Sequence, residues 1–263
     1  MTIRRTLGSL ILFSGAGALG LAQTPTFTIV SAANWGPIVS PGSIAAGFGS
    51  NITNQEYSAL AQPLPTSLGG ASLNFTDSLK AQQLAPLFMV SSGQVNLLIP
   101  ANAAVGAATV SAATQAGATL SGIAHVSNVA PGIFAANGNG SGAAAGEVFR
   151  LSASGATSYT FTFQAGSSSY TTNPLSLSPS TDQVYYELYG TGFRNHSKNP
   201  VEATINGTKV PVLYAGPVSQ YAGLDQINIG PLPQSLAGTG NGDVRLIVTV
   251  DGVPSNTVMV NIQ

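Results

Sequence analysis

Hydrophobic residues recur at every second position near the C-terminus. Val244, Leu246, Val248 and Val250 share one phase, and Asp243, Arg245, Thr249 and Asp251 the other. Asp251-Gly252 follows, and then Val258, Val260 and Ile262 alternate with Thr257, Met259 and Asn261. This pattern predicts a β-hairpin with one buried face and one wet face. Similar alternation runs through Tyr159, Phe161, Phe163 and through Val184, Tyr186, Leu188. The Ala-rich run from Ala101 to Leu120 has a helix-like composition. However, Gly106 and Gly117 flank Thr109-Val110, and the charges of a surface helix are missing, so a second hairpin turning at Ala116-Gly117 is expected. No helix is predicted after the N-terminal segment.

An internal repeat sets the expected domain count. Phe48-Gly49-Ser50-Asn51 is echoed by Tyr189-Gly190-Thr191-Gly192, Ala85-Pro86-Leu87-Phe88 by Val210-Pro211-Val212-Leu213, and Gln94-Val95-Asn96 by Gln226-Ile227-Asn228. The order holds while the loops differ in length, which fits tandem all-β sandwiches of the immunoglobulin kind. The expected division is a first sandwich over 23–130, a linker rich in Gly, Asn and Ser over 131–146, and a second sandwich over 147–263. Ahead of them, Arg4-Arg5, the uncharged stretch Leu7 to Leu21 and Gly20-Leu21-Ala22 read as a signal peptide over 1–22, cleaved before Gln23. That stretch is short and broken by Gly for a membrane span, which needs about 20 apolar residues. The chain is therefore expected outside the cytoplasm, secreted or at the cell surface, with the periplasm left open, and off the membrane once cleaved.

Composition narrows the function classes. Charged residues are only 6% of the 263, yet hydrophobic residues are 44%, which is ample for a core. Gly 31 and Pro 16 favour turns over helices. A net charge of −1, falling to −3 once Arg4 and Arg5 leave, gives no basic footprint for nucleic acid. With no cysteine there are no disulfides, thiolate nucleophiles, Cys-based metal sites or lipidated cysteine.

The residues of the repeat also carry a family resemblance. Pro41-Gly42-Ser43, Phe48-Gly49, Leu64-Pro65, Leu68-Gly69-Gly70, Pro86-Leu87-Phe88, Gly93-Gln94-Val95-Asn96, Ile99-Pro100 and Ala130-Pro131-Gly132-Ile133-Phe134 form one half of the pattern. Asp182-Gln183-Val184, Tyr189-Gly190-Thr191-Gly192, Tyr214-Ala215-Gly216-Pro217, Gly223-Leu224-Asp225-Gln226-Ile227-Asn228, Leu236-Ala237-Gly238, Val250-Asp251-Gly252 and Ser255-Asn256-Thr257 form the other. Together they resemble the Solibacter-type uncharacterised C-terminal domain of secreted acidobacterial proteins. The resemblance implies tandem IPT/TIG-like immunoglobulin folds and no particular activity.

Candidate chemistry is sparse. His125, in an expected strand, and His196, in a loop, are the only histidines; without a G-x-S-x-G elbow or clustered ligands they suggest neither a triad nor a metal site. Glu147, Asp182, Glu187, Glu202, Asp225, Asp243 and Asp251 could supply a glycosidase pair, but the sequence does not pair them. Asp225 reads as a loop-fixing residue, since turn carboxylates commonly bond backbone amides. Calcium held by scattered turn oxygens stays open; no D-x-D-x-D-G loop is present. Gly190-Thr191-Gly192 leads into a loop rather than a helix, so its glycines are expected at a strand-end turn and not around a phosphate. The twin Gln-x-Asn motifs are expected to bond backbone. Trp35 and Tyr57 are the candidate ligand-binding residues, as aromatics that could stack on sugar rings, with packing against a sandwich end as the rival role for Trp35. The N-x-S/T matches at Asn51, Asn74, Asn139, Asn195 and Asn206 record turns rich in these residues.

The leading reading is a secreted, non-catalytic immunoglobulin-like module for surface structure, adhesion or protein interaction. An extracellular carbohydrate- or matrix-binding module is the alternative, and an exported hydrolase stands third. No catalytic residue, metal or cofactor is assigned; surface proteins and extracellular polysaccharide are the admissible partners. Intact-mass analysis of the exported protein is expected to find a chain starting at or within a few residues of Gln23. A secreted chain still carrying Met1 to Ala22 would refute the processing site.

Overall fold

The computed structural model describes residues 26–238 and 242–263. The signal-peptide assignment to 1–22 lies outside them. The described chain is all-β: its one helical feature is a single 3-10 turn, Gln234–Leu236. It forms two immunoglobulin-like β-sandwiches, each around its own hydrophobic cluster. Leu73, Phe75, Val95, Leu97 and Val110 lie in the first; Tyr186, Leu188, Ile227, Leu246 and Val248 lie in the second.

The two sandwiches repeat one topology. In the first, one sheet runs in the order Thr28–Ser31, Ile44–Phe48, Gln94–Leu98, Leu87–Val90, Tyr57–Ser58. It faces a sheet ordered Ile38–Val39, Thr119–Val126, Gly106–Ala113, Ala71–Thr76, Ser67–Leu68, with Gln82–Leu84 also on Ala71–Thr76. In the second, Thr157–Phe161, Gly146–Leu151, Gln183–Thr191, Asp225–Ile229, Val212–Pro217 face Pro174–Leu175, Val258–Ile262, Asp243–Val250, Glu202–Ile205, Thr208–Val210. Each copy has the same parallel exception, Ile38–Val39 against Thr119–Val126 and Pro174–Leu175 against Val258–Ile262. The Pro-containing echo also has a structural cause. Behind Pro86 and Pro211 the pairing with the next strand shifts register between Leu87 and Met89 and between Val212 and Tyr214, so Phe88 and Leu213 sit in equivalent β-bulges.

Both expected hairpins are present. Gly106–Ala113 pairs with Thr119–Val126, and Gly117 takes φ +85° in the turn. At the C-terminus Val244 opposes Val260 and Leu246 opposes Val258, with all four buried. Asp251 and Gly252 have φ +50° and +79°, the two positive values that a type I′ turn demands. The return strand is interrupted: Val253–Pro254 pairs first, and the chain then kinks through Ser255-Asn256-Thr257 before Val258–Ile262.

That kink corrects the expected domain division. Asn256 Oδ1 accepts the Ile133 N–H at 2.8 Å, and its Nδ2 donates to the Ile133 carbonyl at 2.9 Å and the Gly140 carbonyl at 2.8 Å. Gly132–Ile133 adds a strand beside Gln183–Thr191, and Val129, Ile133 and Ala144 belong to the second core. Residues 131–146 are therefore not a free linker but a strand and loop of the second sandwich, which begins by Val129. The segment packs closely on its neighbour strand. A Cβ on Gly192 (φ +88°) would lie 2.1 Å from the Ala130 carbonyl oxygen, and one on Gly190 would lie 2.3 Å from that of Gly132. The glycines of the Gly190-Thr191-Gly192 motif thus let the second sandwich's central strand lie against the 130–132 segment.

The same strand end fixes the junction. Thr191 Oγ1 donates to the Gly223 carbonyl at 2.8 Å and accepts the Ile44 N–H of the first sandwich at 2.9 Å. Beyond it, Asp225 is wholly buried: Oδ2 accepts the amides of Phe193 at 2.7 Å and Arg194 at 3.3 Å, and Oδ1 meets Arg194 Nε at 2.8 Å. Arg194 also donates to the Leu224 carbonyl at 2.9 Å, and its stem packs against Gly42. Asn195 Nδ2 reaches the Pro41 carbonyl at 2.7 Å. Asp225 thus fixes its loop, as its place in the motif suggested.

Alternation along Asp243–Val250 yields a direct test. Val248 is fully buried and Thr249 is not. Replacing Val248 with Asp buries a carboxylate without a partner, a cost of several kcal/mol against the about 5–15 kcal/mol that typically holds a domain together. Thermal melting should fall sharply for V248D and little for T249D; the reverse order would put the strand register out by one.

Candidate functional site

Trp35 and Tyr57, the aromatics singled out in the sequence, stand at different places. Trp35 occupies a turn at φ +59°, with its Nε1 donating to the Gly138 carbonyl at 3.1 Å and its ring 5.8 Å from that of Phe48. It serves the junction between the first sandwich and the 131–146 segment. Tyr57 packs at the edge of the first core, its ring against Gly69 and its hydroxyl 3.3 Å from Asn54 Oδ1. Their rings do not pair, and each already has a packing role.

A different set of aromatics is gathered on the second sandwich. Along Gln183–Thr191 the inward residues are Val184, Tyr186 and Leu188, which leaves Tyr185, Glu187 and Tyr189 on the outer face. Strand register sorts that face into two adjacent rows. Tyr159 opposes Phe149, which opposes Tyr185. One pleat further, Phe161 opposes Glu147, Glu147 opposes Glu187, Glu187 opposes Asn228, and Asn228 opposes Tyr214. The Phe149 ring centroid lies 5.0 Å from that of Tyr159 and 5.7 Å from that of Tyr185, at tilts of 37° and 32°. A shallow cavity of about 260 Å³ opens here, lined by Phe149, Tyr159, Tyr185, Glu187, Leu213 and Asn228, with Tyr186 at its floor. Tyr159 is 62% exposed, and Phe161 and Leu213 similarly so. The expected alternation at Tyr159 and Phe161 is correct in period, but its aromatic phase faces water instead of a core. Phe161 continues into a second cluster, 5.4 Å from Phe163, which meets Tyr170 edge-on at 5.2 Å.

The polar row is pre-ordered by its own hydrogen bonds. Gln226 Nε2 donates to Asn228 Oδ1 at 2.8 Å, and Gln94 to Asn96 in the first sandwich at 2.7 Å. The twin Gln-x-Asn motifs therefore bond side chain to side chain on an outer face, not backbone as expected. The Asn228 N–H groups remain available to a ligand. Tyr189 donates its hydroxyl to Glu187 Oε1 at 3.0 Å, leaving the other carboxyl oxygen open. Tyr185 donates to Gln183 Oε1 at 2.8 Å. Arg150, on the inner phase of its strand, is held by Asp182 at 3.0 Å and by the Ser176 and Ser178 carbonyls, so it adds no charge to this face.

The remaining sequence candidates are spread out. His125 is exposed on Thr119–Val126; the His196 ring nitrogens bond the Ser197 and Ala215 carbonyls. Glu202 pairs with Lys209, Asp243 accepts from Thr172 and Asn261, and Asp251 from Ser197. Only Glu147 and Glu187 are brought side by side. Among the described residues, no group of three or more His, Asp or Glu side chains is placed to hold a metal ion. No described helix is long and apolar enough to cross a membrane. The aromatic rows were not legible in the sequence because they gather rings from three separate strands, Thr157–Phe161, Gly146–Leu151 and Gln183–Thr191. The available signal was Tyr185 at the wet phase of a strand whose dry phase was already filled.

No protein-family model and no curated protein matches the chain. Among solved structures, it is similar to SGBP-B of the Bacteroides ovatus mixed-linkage glucan utilization locus, solved in complex with mixed-linkage heptasaccharide. The identity there is 13% and the TM-score 0.34, covering 86% of this chain and 44% of that one. It is also similar to the full extracellular region of plexin A4, at 10% identity and TM-score 0.25, covering 94% of this chain and 16% of that one. The chain spans less than half the length of either.

Burial, and secondarily the hydrogen bond to Glu187, pushes the Tyr189 phenol up to about 12. Because the raised value favours the protonated form, Tyr189 keeps its proton, and its bond to Glu187, until strongly alkaline pH. Ultraviolet difference titration of Glu187→Gln should show this tyrosine ionising at lower pH than in the parent protein, with only part of the elevation lost because burial remains. An unchanged profile would show that the pair does not couple.

Proposed function

We propose that the chain is an exported, non-catalytic binding module that attaches to extracellular or surface material through the outer face of its second sandwich. The family it resembles, the Solibacter-type domain with its IPT/TIG-like folds, is part of the same reading. One observation carries the proposal: Tyr159, Phe149 and Tyr185 form a solvent-facing row across three hydrogen-bonded strands. Aromatic rings left at wet positions beside satisfied polar groups supply binding area at little conformational cost. Contiguous exposed apolar patches mark interaction sites more often than isolated ones do.

The non-catalytic part rests on the shape of the site. Glycosidic chemistry sets two carboxyl groups on either side of the scissile bond in a pocket that excludes water. Glu147 and Glu187 stand side by side on one open face, and among the described residues no nucleophile–histidine pair is assembled near them. The carbohydrate- or matrix-binding reading is favoured over protein adhesion by the polar row of Glu147, Glu187 and Asn228 next to the rings, which offers fixed acceptors and donors to hydroxyl groups.

Retention of the purified protein on washed envelopes of the producing organism tests this. Wild type should be retained, and Tyr159→Ala/Tyr185→Ala should wash off with about tenfold weaker binding, the size of effect expected from about 1.4 kcal/mol. Equal retention of both proteins would move the site elsewhere, and turnover of a glycoside or ester substrate would overturn the non-catalytic reading.

A further inference from the structure

The polar and charged groups on the aromatic face are enough to say what kind of ligand it suits. All the outward side chains that could make hydrogen bonds there carry oxygen or amide groups, and the only charged ones are Glu147 and Glu187. The three ion pairs of the described chain, Arg150–Asp182, Arg194–Asp225 and Lys209–Glu202, leave both glutamates out. No lysine or arginine stands on the outer phase of these strands. Such a face repels polyanions, because like charges brought together without a counter-ion raise the energy of the complex.

Stereochemistry narrows it further. The rings of Tyr159, Phe149 and Tyr185 follow one another across the strands, and the carboxyl and amide groups of Glu187 and Asn228 lie one pleat to the side. A pyranose ring has the matching division: an apolar C–H face that lies on an aromatic ring, and hydroxyls around its rim that seek an acceptor and a donor together. Glu187 supplies the acceptor and Asn228 Nδ2 the donor from directly opposed positions. The cavity of about 260 Å³ is below the roughly 300–1,000 Å³ of pockets that enclose drug-sized ligands, so it suits a chain lying across the face and not a molecule swallowed whole.

We propose that the outer face of the second sandwich binds an uncharged hexopyranose polysaccharide, with sugar rings on Tyr159, Phe149 and Tyr185 and hydroxyls bonded to Glu187 and Asn228. This deepens the binding-module reading and rests on it. Anionic glycans are refused by the two glutamates, and the absence of a counter-ion on the face gives the refusal its salt dependence.

Calorimetric titration of the whole protein with soluble β-glucan, galactomannan and dextran, and with polygalacturonate as the anionic polymer, tests the inference. Saturable binding to at least one neutral polymer is expected, with none to polygalacturonate at low salt. Tyr159→Ala, Tyr185→Ala and Asn228→Ala should each weaken binding about tenfold. Lys209→Ala, on the opposite sheet, should bind as the parent does, and unchanged melting of each variant confirms that the fold is intact. Binding to none of the neutral polymers, equal binding to polygalacturonate, or wild-type affinity in all three face variants would overturn the proposal. The two levels separate cleanly. Envelope retention that depends on Tyr159 and Tyr185 but is not competed by any neutral polymer leaves the binding module standing and removes its sugar ligand; retention that ignores those residues removes the module's site itself.

Discussion

A carboxylate withdrawn from water must have its lone pairs met, and Asp225 meets that demand with the one arrangement that also orders its surroundings. Its oxygens take the Phe193 and Arg194 amides and the Arg194 guanidinium. Burial pushes its carboxyl up, against the opposing pull of Arg194 and the two amides. A buried ion pair adds little net stability over a well-packed apolar core, yet breaking one strands a charge. Its product here is geometric. The bend after Gln183–Thr191 is locked, Arg194 is laid on Gly42, and Asn195 is delivered to the Pro41 carbonyl. At the end of the same strand, Thr191 Oγ1 accepts the Ile44 amide of the first sandwich and donates to the Gly223 carbonyl.

The aromatic face is tied to that clamp through Gln183–Thr191. This strand carries Asp225's partner loop at its C-terminal end and Tyr185, Glu187 and Tyr189 along its outer phase. It is paired on one side with Gly146–Leu151 and on the other with Asp225–Ile229, so both rows of the face are referenced to it. Rings held on paired strands lose little freedom on binding, which is the condition under which a shallow face can hold a ligand at all. The first sandwich has the same Gln-x-Asn pair, but there Asn96 opposes Ala46, where in the second sandwich Asn228 opposes Glu187.

Poverty of charge shapes the remainder. With charged residues at 6%, Ser, Thr, Asn and Gly are frequent along the chain, and several of the few carboxylates have distinct structural tasks. Asp77 caps its own turn, where amide hydrogen bonds, that of Ala104 foremost, hold its carboxyl below the usual range. Asp251 is held low by the Ser197 hydroxyl and amide and ties the 195–199 loop to the terminal hairpin. Glu147 and Glu187 stand outside the ion pairs of the described chain, Glu187 accepting only the Tyr189 hydroxyl, and they are the pair that the face presents.

Local pattern by itself determined the buried phase of Asp243–Val250, the hairpin turn at Asp251-Gly252 and, through the glycines flanking Thr109-Val110, the hairpin hidden in the Ala-rich run, because each of these depends on neighbours a few residues apart. The echo of three short motifs was enough for two copies of one sandwich, since Pro86 and Pro211 mark the same bulge and Gln94 and Gln226 stand opposite the echoed Phe48 and Tyr189. Tertiary structure alone decided where the copies divide: Asn256, more than a hundred residues away, holds both backbone groups of Ile133 and draws the 131–146 segment into the second sandwich. It alone decided that Tyr159 and Phe161 face water, because alternation fixes which residues share a face and not which face is covered. It also brought Phe149, Tyr159 and Tyr185 together while leaving Trp35 and Tyr57 apart, since rings from three strands become neighbours only through register, which is a property of the paired sheet and not of any one segment.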